Sequence, residues 1–166
     1  MMLKRFPSPA GERLRFAGFA SLLREVPALI ASAPSPFVLF LAADRTAATD
    51  QEWGDVARAL LDAGLAYLVA WGPGCRQVED AFDLVFVEAS DIEGRIPNAA
   101  EGVLMTTSHA NQELEEALWF GIHAAHPDEG YVRECPSTIA VAVERVDWHE
   151  RMDKYLAAGA PLIDAA

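Results

Sequence analysis

A chain of 166 residues with a 52% apolar share has the length of one domain and can bury a core without a disulfide or a metal. Its 25 acidic and 13 basic residues leave a net charge of −12, which argues against nucleic acid or an anionic membrane surface as partner and suits solubility or a basic partner. Cys75 and Cys135 show neither metal nor redox spacing, Pro7, Pro9 and Gly11 fall where a secretory apolar segment would lie, and no apolar run reaches the ~20 residues of a membrane span, so the chain reads as cytosolic with reduced thiols.

Residues 1–36 read as a helical lead-in. Their first 25 positions hold Lys4, Arg5, Arg13, Arg15 and Arg24 against Glu12 and Glu25, a local balance of +3 that leaves the remainder at −15. Phe16, Phe19, Leu23, Val26 and Ile30 recur at helical spacing, with Pro27 expected to kink or break the helix. Pro34 and Pro36 end the lead-in, and FVLFLAA (37–43) reads as a first strand. Thr49 and Glu52 then form a capping box, Trp53, Val56, Ala57, Leu60 and Leu61 make an apolar stripe, and Gly64 fits the stop of that helix. AYLVAW (66–71) is the second strand, completing a βαβ unit.

Between 72 and 82 the spacing leaves room for a short helix over 75–81. DLVFVEA (83–89) reads as a third strand, residues 90–101 as a loop, and GVLMTTS (102–108) as a fourth strand. Asn111 is expected to cap the next helix, whose buried side carries Leu114, Ala117, Leu118, Gly121, Ile122 and Ala125. TIAVAVE (138–144) is the fifth strand, and a last helix starts at Asp147, with Trp148, Met152, Tyr155 and Leu156 on its apolar side. Runs this apolar are covered on both faces, so the pattern predicts an α/β fold: a three-layer Rossmann-like or flavodoxin-like sandwich around a mainly parallel sheet of four or five strands. The expected organisation is a lead-in over 1–36, an α/β domain over 37–158 and a tail over 159–166.

Ligands of open parallel sheets bind beyond the carboxyl ends of the strands. Those ends collect Asp44 and Arg45, Trp71, Gly72, Gly74 and Cys75, Glu88, Ser90 and Asp91, Thr106, Thr107, Ser108 and His109, then Glu144 and Arg145. From these, Arg45, Trp71, Gly72, Gly74, Asp91, Thr107, Ser108 and His109 form the candidate ligand site. The turn WGPGC lacks the spacing of a dinucleotide or phosphate loop, and Glu113, Glu115 and Glu116 would repel a phosphate from the following helix start. Cys75 at a helix start, with His109 as base and Asp44 or Asp91 as orienter, would make a nucleophile site. A buried, inert cysteine is the plainer reading and the one the sequence favours. His123 and His126 have the spacing to share a metal with Asp128, Glu129 or Cys135, although a helix end also favours such side chains without one. Trp53, Trp119, Phe120 and Trp148 lie on helical stripes and read as core or interface.

The stretch MTTSHANQELEEALWF (105–120), with WGPGC and the VEDAFD that follows it, resembles a small bacterial family of uncharacterised Rossmann-like domains. The likeness covers about residues 37–144. Thr106, Thr107, Ser108 and His109 stand at its Thr-Thr-any-His strand end, with Ser108 where the family pattern has an aromatic. The resemblance implies the fold and carries no reaction or cofactor. The reading that follows is a non-catalytic, self-associating interaction module with no cofactor, able to take a small-molecule ligand. Its rivals are a small hydrolase or transferase using His109 with Cys75 or Asp44, and an inhibitor or immunity-type partner of a basic protein.

Overall fold

β3 (Phe37–Ala42) and β6 (Ser137–Val143) are buried at every position, as strands between two helix layers must be. The computed structural model describes residues 2–90, 103–128 and 135–163. Among these, β1 (Lys4–Phe6), β2 (Leu14–Ala20), β3, β4 (Leu65–Trp71), β5 (Met105–Ser108) and β6 form one six-stranded sheet in the order β1-β2-β6-β3-β4-β5. All neighbours run parallel except β1, which is antiparallel to β2. α1 (Val26–Ile30), α2 (Asp50–Ala63) and α3 (Cys75–Ser90) pack on one face. α4 (Leu114–His123) and α5 (Val146–Ala157) pack on the other. The result is the expected α/β sandwich of three layers.

α2 follows its sequence signals. The Thr49 side chain accepts from Glu52 N, Glu52 reaches back to Thr49 N, and Gly64 closes the helix at φ 109°. The segment 83–89 is different. It belongs to α3, whose buried side is Cys75, Val78, Phe82, Val85 and Ala89, alternating steps of three and four. Leu84 and Val87 point to solvent, so the apolar run is helical surface plus helical core. No turn residue separates 81 from 83, and that continuity outweighs the β-branched composition. The short helix expected over 75–81 therefore extends to Ser90.

The helical lead-in is also corrected. It contains β1 and β2, so the sheet has six strands where four or five were expected. Only a 3₁₀ turn, Leu23–Glu25, and α1 are helical, and Pro27 sits in the first turn of α1, where its missing N–H costs nothing. Asn111 does not cap α4; Glu113 precedes that helix and makes no side-chain cap bond. β5 is shorter than the strand expected over 102–108, and α5 begins one residue before Asp147.

Two arginines of β2 and the turn before it hold the helix layer on the α4–α5 side. Arg13 donates from Nη2 to the carbonyls of Gly121 (3.0 Å) and Ile122 (3.2 Å) in the last turn of α4, and from Nε to Thr138 (2.8 Å). Arg15, buried, donates to Gly159 O just past α5 (3.2 Å) and pairs with Glu12 (3.1 Å). Cationic donors suit helix carboxyl ends, where carbonyls lack partners.

Candidate functional site

Adjacent strands whose helices leave to opposite faces open a crevice at their carboxyl ends. β3 leads to α2 on one face and its neighbour β6 leads to α5 on the other. The crevice between them is bounded by Asp44 and Arg45 on one side and Glu144 and Arg145 on the other. Glu144 has φ 65°, and Arg145 N donates to Val143 O (2.8 Å), closing a three-residue γ-turn in its rare, positive-φ form. Such a conformation strains a residue with a side chain. It is held by Glu144 N donating to Ala20 O (2.8 Å).

Arg145 chelates Asp147 through Nε (2.8 Å) and Nη2 (2.6 Å), and its guanidinium lies 4.5 Å over the Trp148 ring. The pairing holds Asp147 below the usual carboxylate range and raises Arg145. Trp148 meets Trp71 edge-on at 5.1 Å. Across the crevice, Asp44 accepts from the Thr46 N–H (2.8 Å) and hydroxyl (2.7 Å). Those bonds, and then the charge of Arg145, lower its pKa. Arg45 is turned aside: it pairs with Asp50, lies 5.9 Å from the Trp53 ring centre, and its carbonyl accepts from the Trp53 indole (2.9 Å).

The glycines of WGPGC answer to packing. A Cβ on Gly72 (φ 119°) would stand 2.3 Å from the Ala43 carbonyl oxygen, and one on Gly74 (φ 72°) 2.6 Å from the Arg45 Cβ. The two loops are laced by Ala43 N to Trp71 O (3.0 Å) and Arg45 N to Pro73 O (2.9 Å). This close approach explains both glycines without a phosphate.

His109 ends β5. Its Nδ1 is 2.7 Å from Gln112 Oε1 and its Nε2 3.0 Å from Thr107 Oγ1. Because Gln112 Oε1 accepts only, Nδ1–H is the donor to it, and Nε2 is left facing the Thr107 hydroxyl. Burial raises the pKa of the neighbouring Tyr67, and the Thr107 hydroxyl acts against that rise. The His109 ring rests 4.8 Å from Phe120 on α4. Gln112 also joins the two halves of the rim, since its carbonyl accepts from the Trp71 indole (2.8 Å).

The rim thus brings together Trp71, Thr107, His109 and, missed from sequence, Gln112, Asp147 and Trp148. The arrangement R-V-D-W straight after a strand was the available signal for the last two. It does not bring Cys75 to His109: Cys75 is buried in the α2–α3 layer and His109 faces α4. Ser108 follows the β5 pleat toward the α3 side with Thr106. Glu88 and Ser90 ride the last turns of α3, away from the rim, and Asp91 lies outside the described residues. His123 bonds Ala160 O (3.0 Å) and stacks on Trp119, while His126 is exposed. Among the described residues no three His, Cys, Asp or Glu side chains are grouped to hold a metal ion; Glu129 lies outside them.

A family model described as a domain of unknown function, DUF7684, matches residues 19–159. The chain belongs to the DUF7684 family. The match takes in the end of β2 and all of α5, both beyond the stretch 37–144 that carried the resemblance. A comparison of this DUF7684 chain with curated proteins found no match. No helix among its described residues is long and apolar enough to cross a membrane.

Proposed function

We propose that this DUF7684 domain is a non-catalytic, cytosolic binding module that self-associates and engages partners through the carboxyl rim of its sheet. One observation carries the reading: the groups able to do covalent chemistry are kept apart. Cys75 is sealed in one layer, His109 is engaged at both ring nitrogens on the other side, and Asp44 takes two bonds from Thr46 on Oδ1. A nucleophile without a base in reach gains no activation. The exposed part of the rim, the Arg145–Asp147 pair on Trp148 with Asp44 opposite, has the aromatic-plus-arginine character of recognition surfaces. Multi-angle light scattering over a concentration series, with affinity capture from the native host, tests the reading. Mass above the monomer and a partner lost on Arg145→Ala are expected. A strict monomer that retains no partner overturns it.

A rival reading, a small hydrolase or transferase, draws on His109, whose Nε2 meets the Thr107 hydroxyl at 3.0 Å and whose Nδ1 is oriented by Gln112 at 2.7 Å. It requires turnover of ester or phosphoester substrates that disappears in His109→Ala and persists in Cys75→Ala. Equal background in wild type and His109→Ala removes it.

A further inference from the structure

Among the described residues both margins of the sheet lack a further strand: β1 at one side, β5 at the other. An open margin offers unpaired N–H and C=O groups to another strand. The two margins carry opposite charge. β1 exposes Lys4 and Arg5. α3, which covers β5, carries Glu79, Asp80, Asp83 and Glu88 against Arg76.

The faces also correspond. Phe6 enters the α4–α5 core, so the pleat puts Arg5 on the opposite face, the side of α1 to α3. Thr106 of β5 points to that same side. Its hydroxyl lies 3.0 Å from Glu79 Oε2 and 2.8 Å from Asp83 Oδ1. One hydroxyl has one proton to give, so one of the two carboxylates has no donor from it.

We propose that a second copy of this chain lays its β1 margin against β5, extending the sheet, with Arg5 of the incoming copy facing Glu79 and Asp83. In a sheet continued with the same layer on each side, β1 runs antiparallel to β5, as it does to β2. Charge selects this pairing over the symmetric ones. β5 against β5 sets two acidic α3 helices together, and β1 against β1 sets Lys4 and Arg5 against themselves. The contact joins unlike surfaces, so it leaves one margin free on each end and mass grows past the dimer. This deepens the self-association reading and rests on it.

The test is sedimentation velocity of the full chain over rising concentration, at low and high salt. Wild type is expected to form species beyond the dimer that salt disperses. Arg5→Glu and Asp83→Arg are each expected to weaken association about tenfold or more, and their equimolar mixture to restore it by charge exchange. Asp80→Arg, at an exposed position of α3, gives a second acidic-side variant, with circular dichroism checking the fold of each. A closed dimer insensitive to all three substitutions overturns the margin contact and leaves self-association standing. A wild type that stays monomeric overturns both.

Discussion

At the scale of single residues, Asp83 is the most informative carboxylate. Burial, with Glu79 and Asp80 nearby, raises its pKa despite the Thr106 bond. A raised carboxyl destabilises the fold when ionised, so this contribution improves as pH falls from neutral toward the unfolded value near ~4. Asp44, Glu115 and Asp147 are lowered and act in the opposite direction, losing stability as pH falls through their folded values. Asp83→Asn isolates the first effect: denaturation midpoints measured between neutral and mildly acid pH should show the variant above wild type at neutral pH, with the gap closing toward acid. A gap that widens toward acid refutes this assignment. Gly72 offers a second test. Its positive φ and the Ala43 carbonyl leave no room for a methyl group, so Gly72→Ala should cost more than about 2 kcal/mol in urea unfolding.

At the scale of elements, α3 separates two readings of one heptapeptide. As a helix, α3 fully buries Phe82, just ahead of that heptapeptide, and exposes Leu84 within it, so Phe82→Ala should cost roughly 3–5 kcal/mol and Leu84→Ala under about 0.5 kcal/mol. Urea titrations of both variants check this; a large loss at Leu84 would restore the strand. Arg13 makes an element-level prediction as well. Arg13→Ala strands two carbonyls of α4 and the Thr138 hydroxyl, and about 1–3 kcal/mol should be lost, with faster amide exchange confined at first to the end of α4. The runs 37–43, 66–71 and 138–144 were legible as strands because apolar side chains on both faces leave few other structures open. α2 was legible because its cap, stripe and stop all agree. The lead-in was not, since Phe16 and Phe19 fall three apart on a strand that alternates around the buried Arg15, Ala17 and Ala20. The rim was half legible: strand ends locate Trp71, Thr107 and His109, but their convergence on Gln112 needs a loop fold that no spacing encodes. The failure to join Cys75 with His109 is likewise a matter of layers, invisible until α3 and α4 are assigned to opposite faces.

At the scale of the whole molecule, the late strand β6 fills the gap between β2 and β3, which do not pair with each other. A fragment ending at residue 134 lacks the strand that joins β1 and β2 to the rest, and should give a spectrum of an unfolded chain by heteronuclear NMR. A dispersed spectrum would mean that β3 and β4 with α2 and α3 stand on their own. Long-range pairing of this kind also slows folding, because the closure of a long loop precedes its reward.

The same topology shapes events on the ribosome. Residues 37–71 can pair as they emerge, yet β2 waits with one flank bare until β6, at residues 137–143, has been synthesised. For that interval the nascent polypeptide shows a sticky ribbon to its surroundings, and slower translation lengthens the exposure. Yield in cells should therefore respond to chaperone supply and to codon choice upstream of residue 137 more strongly than the stability of the finished domain would suggest.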